Sequence, residues 1–488
     1  MSQPDQVDAL LGATPKHLLI DGRWRPSRPE RTFEVSDPAT GKPLCAVADA
    51  TPADGLAALD AAVAAQPAWA AHPPRERGEI LRRAFELITA RREELAVLMT
   101  LEMGKPLAES RGEVAYAAEF FRWFAEEAVR VHGDCALAPD GRSRFLVMRQ
   151  PVGPSLLVTP WNFPMAMGTR KIGPAVAAGC TMVVKPAEQT PLSMLALAAI
   201  LAEAGLPDGV LNVVPTSDPG GLVAPLLADG RIRKLSFTGS TEVGRLLLGQ
   251  SADQVLRVSL ELGGNAPFLV FADADVPAAV EGALVAKMRN IGEACTAANR
   301  FSVHAEIAEE FTARLAERMG SLTVGPGLEE GVQVGPLVDE AARQKVSALV
   351  SDAVARGARV VTGGYALEGP GYFYAPTVLA DVPGTARMRH EEIFGPVAPV
   401  TVFDTEEQAV RWANDTPYGL VSYVYTRDLA RGLRVCTALE SGMVGWNQGL
   451  VSNPAAPFGG VKHSGLGREG GRVGIEEFLE TKYVAVPT

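Results

Sequence analysis

Several features that announce function in other chains are missing here. Among 488 residues there are five cysteines (Cys45, Cys135, Cys180, Cys295 and Cys436) and six histidines. No two cysteines are spaced CxxC, which excludes a zinc ribbon and a dithiol redox motif. Their odd number and wide scatter suit a reducing, cytoplasmic setting. No HExxH occurs, and "HEEIF" has the wrong spacing for that zinc site, so no metal is expected. No apolar run reaches the roughly 18 residues of a membrane-spanning helix. The longest candidate, "LSMLALAAILAEAGLP", is broken by Glu203 and ends in a Gly/Pro stop. The N-terminal stretch lacks the basic flank and apolar core of a signal peptide. Basic residues are also in deficit. Lys and Arg total 46 against 57 Asp and Glu, a formal charge of -11. That disfavours a nucleic-acid partner, which needs a basic footprint, and favours solubility. No GxGxxG dinucleotide fingerprint follows the first strand of the α/β sheet either.

What is present is an α/β pattern. The length allows about two to four domains. Residues 53–130 read largely as helix, with a stop at Gly104 and a second long helix from about Glu109 to Arg130. From residue 151 the pattern changes. "SLLVT", "TMVVKP", "GVLNVV" and "RKLSFTGS" have strand character and alternate with helical runs. Such alternation implies βαβ units and a doubly wound parallel sheet. A second α/β series begins near residue 262, with "NAPFLVF" and "NRFSVHA" as strands. The tail "EEFLETKYVAVPT" reads as a helix end plus an exposed strand, held either by a neighbouring subunit or at an edge of its own domain.

Four segments invite chemistry. "GSTEVG", Gly239 to Gly244, is a strand-to-helix turn whose backbone N–H groups could hold a pyrophosphate. It lacks the Lys-Ser/Thr of a P-loop, and an ordinary glycine-rich turn fits it too. In "VVKPAEQTP", Lys185 and Glu188 sit at the carboxyl end of a strand, where open α/β sheets bind ligands. They could equally be a solvated strand end. "ELGGNAPF" offers Glu261 as a general base or as a surface carboxylate. Cys295, in "NIGEACTAANR", is either a nucleophile or a small buried filler, and no histidine stands in a companion motif to activate it.

These segments occur in a telling order: "PWNFP", "KPAEQTP", "FTGSTEVG", "LELGGNAP", "GEAC", "EEIFGPV" and "PFGGVKHSGLGREG". In that order, from about residue 17 to the end, the chain resembles the aldehyde dehydrogenase superfamily. The resemblance implies a Rossmann-like sheet without GxGxxG, a second α/β catalytic domain and a small β oligomerisation element. The expected division is a dinucleotide-binding domain at 1–130 and 151–261, a catalytic domain at 262–463, and bridging or oligomerisation segments at 131–150 and 464–488, in a homodimer or homotetramer.

The resemblance also implies roles. Cys295 is the nucleophile toward the aldehyde carbon. The Asn162 side chain and the Cys295 N–H form the oxyanion hole. Glu261 activates the water that hydrolyses the thioester left by hydride transfer. Trp161, Lys185, Glu188, Gly239, Ser240, Gly244, Leu262, Glu392 and Phe394 contact NAD or NADP. Glu188 after "KPA" would repel a 2′-phosphate, which favours NAD.

Within the superfamily, Arg170, Arg289 and Ser452 match the positions that bind the distal carboxylate in succinate-semialdehyde dehydrogenases. Two guanidiniums and a hydroxyl suit a carboxylate. Either arginine could instead be a surface charge or a structural ion pair. A different ω-carboxy or aliphatic aldehyde, a cysteine-dependent ester or thioester hydrolase, and a non-catalytic relative are the competing readings. The intact nucleotide motifs oppose the hydrolase, and the retained Cys295, Glu261 and Asn162 oppose the non-catalytic relative. Where relatives often carry a second cysteine two residues after the nucleophile, Ala297 stands here, so no disulfide switch is expected.

Overall fold

The apolar run Ser155–Val158 becomes the pivot of the first sheet in a computed structural model that describes residues 3–487. Met1, Ser2 and Thr488 lie outside the described residues. Five parallel strands run in the order Arg257–Glu261, Lys234–Thr238, Ser155–Val158, Met182–Lys185, Leu211–Val213. Chain order proceeds outward from Ser155–Val158 to one side, then restarts beside it with Lys234–Thr238. This reversal makes a doubly wound sheet with its switch point between those two strands. Antiparallel strands extend both edges: Gly465–Leu466 on one, Leu18–Ile20 and Arg23–Arg25 on the other.

Side-chain alternation explains why helices cover both faces. Leu157 and Val184 enter one apolar cluster with the helices at 74–127 and 166–203. Leu156, Val158, Val183 and Leu235 point the other way, into a second cluster with Leu59 and Leu226. Successive residues of a strand face opposite sides, so a strand apolar at every position is buried on both.

The second sheet runs Arg359–Thr362, Thr377–Ala380, Val397–Phe403, Ala298–His304, Ala266–Val270, Val421–Tyr425, Met443–Trp446, parallel except for the first pair. Only Leu262–Asn265 separates the strand ending at Glu261 from the strand beginning at Ala266. The two sheets therefore abut, and their junction is a cleft.

A third sheet is antiparallel: Leu479–Pro487, Ser143–Pro151 and Asp134–Leu137. The C-terminal tail thus pairs within its own chain. Among the described residues, no helix is long and apolar enough to cross a membrane.

Some elements differ from the sequence reading. The first long helix is two, Pro74–Ala90 and Arg92–Met103, because Arg91 leaves helical geometry (φ -101, ψ 19). The helix expected from Glu109 to Arg130 is Leu107–Glu127 followed by one 3-10 turn, Ala128–Arg130. The hairpin Thr32–Asp37 with Lys42–Ala48 and the helix Pro219–Ala228 escape the pattern. Both carry weak periodicity, the first from interspersed polar residues and the second from an internal Pro225.

Candidate active site

The turns at the switch point build a cavity of about 240 Å³. Pro160, Trp161 and Asn162 follow one central strand, Gly239 and Ser240 follow its neighbour, and Leu262 and Gly263 follow the next. Across the cleft the second sheet contributes Arg289, Cys295, Glu392, Phe394 and Ser452. Trp161 and Phe394 meet edge to face at 5.4 Å.

Cys295 is presented by an unusual loop. The helix Val276–Met288 ends, and Asn290, Ile291 and Gly292 all take positive φ (53, 61 and 79). A Cβ on Gly292 would lie 2.3 Å from the Gly395 carbonyl oxygen, so only glycine fits there. Asparagine tolerates the left-handed region; Ile291 does not, and costs about 1–3 kcal/mol there.

Polar contacts hold that conformation. The Asn290 N–H donates to Glu109 Oε2 at 2.5 Å, and Asn290 Nδ2 donates to the carbonyls of Asn162 (3.0 Å) and Glu293 (2.9 Å). Lys105 Nζ adds a bond to the Asn162 carbonyl at 2.8 Å and another to Glu113 Oε2 at 2.5 Å. Glu113 in turn accepts from the N–H groups of Met165 and Ala166, capping the helix that carries Arg170. One buried network thus fixes the backbones of Asn162 and Cys295 together. The Asn162 amide donates one hydrogen to the Glu293 carbonyl at 2.9 Å and keeps a second.

Burial pushes the Cys295 thiol up to about 12, opposed by Arg170 and assisted by Glu392 and Glu261. Glu261 is buried, and Oε2 has no hydrogen-bond partner. Burial and the neighbouring Glu469 hold its carboxyl well above the usual range. Burial also raises Glu469, but Lys171 and Arg170 outweigh it and leave that carboxyl low. Lys171 Nζ reaches Glu469 Oε1 at 2.5 Å and Ser236 Oγ at 3.0 Å.

The two arginines differ. Arg170 is 1% exposed, pairs through Nε with Glu469 and lies 4.1 Å over the Phe458 ring, while its buried Nη2 is unpartnered. Arg289 stacks 4.8 Å from Phe163 and 5.7 Å from Tyr116, and its Nη1 donates to Ser452 Oγ at 3.4 Å. Both line the cavity with Cys295.

The family model "Aldehyde dehydrogenase family" matches residues 24–484. The chain belongs to the aldehyde dehydrogenase family. A succinate-semialdehyde dehydrogenase of Paenarthrobacter nicotinovorans is 60% identical, over 91% of this chain and 98% of that protein. A succinate-semialdehyde dehydrogenase [NADP(+)] of Escherichia coli (strain K12) is 51% identical, over 96% and 98%. A solved succinate-semialdehyde dehydrogenase from Burkholderia pseudomallei superposes with a TM-score of 0.96 at 49% identity, covering 100% of both chains.

In this aldehyde dehydrogenase the cavity rim suits a dinucleotide. Thr238 Oγ1 is buried without a partner beside Gly239 and Ser240, and Ser240 caps the helix Thr241–Ala252. The Gly264 N–H donates to Glu392 Oε1 at 3.0 Å, and a Cβ on Gly263 would stand 2.8 Å from Glu392 Oε2, leaving backbone access there. Lys185 and Glu188 are not in the cavity wall; they flank it at the next strand end, 3.4 Å apart. Burial lowers the Lys185 ammonium. Gly244 lies in the helix against Leu262, whose Cδ2 a Cβ would meet at 2.4 Å, so its place is helix-to-strand packing.

Residues the sequence reading passed over include Tyr116, Phe163, Thr238, Lys345 and Phe458 in the wall, and Lys171 and Glu469 behind it. Glu469 stands in the quoted "GREG" run and Lys171 directly follows Arg170, but nothing in the spacing pairs them across 298 residues.

Proposed function

We propose that this protein is an NAD(P)-dependent dehydrogenase that oxidises succinate semialdehyde to succinate. The observation that carries the reading is one cavity holding a nucleophile, an amide donor, a buried carboxylate and two guanidiniums with a hydroxyl. A substrate with an aldehyde at one end and a carboxylate at the other matches both ends.

The steps use this chain's residues as follows. Cys295 Sγ attacks the aldehyde carbon. The oxygen, gaining negative charge, takes hydrogen bonds from the Asn162 amide and the Cys295 N–H; one such donor is worth about 3–4 kcal/mol of barrier. Bound NAD or NADP supplies the hydride acceptor that converts the cysteine adduct to a thioester. Glu261, unpaired at Oε2, takes a proton from water as it attacks that thioester. Arg289, Ser452 and the free Nη2 of Arg170 hold the distal carboxylate. Glu392 and Phe394 position the nicotinamide end, and Lys185 with Glu188 the adenine ribose. The sheet reaching Glu261 serves as the nucleotide-binding half and the sheet from Ala266 as the catalytic half.

The half-buried or exposed apolar side chains Leu137, Leu146, Met148 and Tyr483 on the third sheet support its reading as a subunit contact in a homo-oligomer.

The direct test is formation of reduced cofactor across a panel of aldehydes with NAD and NADP. Succinate semialdehyde should give the highest kcat/KM; no reduced cofactor from any aldehyde would refute the reading. Glu188 supports NAD as the preferred partner through its charge. Replacing Glu188 by Ala should raise kcat/KM for NADP relative to NAD by about tenfold, and an unchanged ratio would remove Glu188 from that role. Glu261→Gln should leave the first turnover and stall the next, giving a burst of reduced cofactor about equal to enzyme. A linear full-rate progress curve in that variant would show that another group activates water.

A further inference from the structure

On the far side of the second sheet, a separate cavity of about 330 Å³ is lined by Arg300, Arg389, His390, Thr401, Trp412 and Asp415, among others. Arg300 is 2% exposed. Its guanidinium donates only to backbone carbonyls: Nε to Asn265 (2.8 Å), Nη1 to Trp412 (2.8 Å) and Nη2 to Ala413 (2.8 Å). Arg389 is half-buried, donates to Thr401 Oγ1 at 3.3 Å and lies 5.9 Å from the Trp412 ring centroid. Among the described residues neither arginine makes an ion pair with a carboxylate, whereas Arg356, Arg387 and Arg434 each do.

Two guanidiniums sharing a pocket with no carboxylate in ion-pair contact is an expensive arrangement, because buried charge is normally paired. Burial and the neighbouring Arg389 hold Arg300 down to about 9, against the opposing pull of Asp415. The carboxylates in the wall relieve this only in part, through the Asp415 charge acting on both arginines. Asp381 and Asp415 are both exposed at the rim, and Asp381 is engaged by Arg359 at 3.3 Å. Positive charge therefore lies inside and negative charge outside.

We propose that this cavity is an anion-binding site, taking a small ligand through a phosphate or carboxylate group held by Arg389 with Arg300 beneath it. The face of Trp412 offers room for the apolar part of such a ligand. The site is distinct from the catalytic cavity but shares structure with it. Arg300 Nε donates to the Asn265 carbonyl, Asn265 Nδ2 donates to the Arg389 carbonyl at 3.1 Å, and the residue before Asn265 donates its N–H to Glu392. An anion drawn against Arg389 pulls on the segment that carries Glu392, so occupancy is coupled to the cofactor side of the catalytic cavity.

The test compares thermal unfolding of the full chain in sodium phosphate, sodium succinate and sodium chloride at equal ionic strength. An Arg289→Ala background weakens carboxylate binding in the catalytic cavity, and the Arg389→Gln comparison is made within it. Phosphate or succinate should raise the melting temperature over chloride by about 2 °C, and Arg389→Gln should abolish that rise. A rise with phosphate alone identifies a phosphate ligand, and a rise with succinate alone a carboxylate. Crystals of the wild-type chain soaked in selenate supply an independent reading that does not depend on the variant folding: anomalous selenium density should stand beside the Arg389 guanidinium. No anion-specific rise, or an equal rise in Arg389→Gln, together with no selenium at Arg389, overturns the proposal.

Discussion

Replacing Cys295 by Ala is expected to lower kcat by about 10⁴–10⁶-fold with every aldehyde, the scale on which enzymes lose activity with their nucleophile. The fold should survive, since the thiol makes no hydrogen bond that holds the loop; Asn290, Glu109 and Lys105 do that. Unchanged cofactor affinity by fluorescence titration would separate lost chemistry from lost structure. The same thiol dictates a pH dependence. Burial places it near 12, so at neutral pH the thiolate, which is the attacking form, is scarce. Its fraction grows about tenfold per pH unit on approach to that value. Glu261 is also raised, and its base form likewise appears as pH rises. Both groups therefore push in one direction: kcat/KM should climb steadily from about pH 6 to pH 9. A profile that is flat or falling over that range would contradict a buried thiol as the nucleophile.

The second large effect concerns substrate choice. Arg289→Ala should cost about 2–5 kcal/mol, roughly 30-fold to several thousand-fold in kcat/KM, for succinate semialdehyde. An uncharged aldehyde of similar length should lose only a few-fold. Equal losses for both would remove Arg289 from carboxylate recognition. Arg170→Ala is expected to behave differently. Its guanidinium both faces the cavity and neutralises Glu469, which sits against Glu261. Without it Glu469 keeps only Lys171 in a buried site. Both aldehydes should then lose activity and the protein should melt earlier, because an unpaired buried charge is costly. Purified Arg289→Ala and Arg170→Ala, compared on the two aldehydes and by calorimetry, check both statements. A substrate-selective Arg170→Ala with wild-type stability would show that Glu469 does not depend on it.

The doubly wound sheet was legible because its strands are short, mostly apolar runs bounded by turn residues, a local signal. The hairpin at 32–48 was not, since half its residues face solvent and its pairing depends on neighbours. The break at Arg91 has no proline or glycine to mark it. At the site, the structure gives two glycines a reason: Gly264 of "ELGGNAP" admits the Cys295 carbonyl, and Gly292 of "NIGEAC" the Gly395 carbonyl. Gly244, in contrast, looked like part of a phosphate turn and proves to be packed against Leu262. Composition and spacing alone could not tell these uses apart, because a missing Cβ reads the same whether it admits a ligand, a carbonyl or a leucine.

By itself the sequence determined the fold class and the family and named candidate residues for the chemistry, since periodicity and short motifs are local properties of the chain. Only the tertiary structure decided what those residues face. It placed Arg170 between Glu469 and the cavity, left Glu261 Oε2 and Thr238 Oγ1 without partners, and set Arg300 beside Arg389 with no carboxylate in ion-pair contact. Charge, burial and hydrogen bonding act through space over a few ångströms, and the groups concerned lie as much as 299 residues apart along the chain.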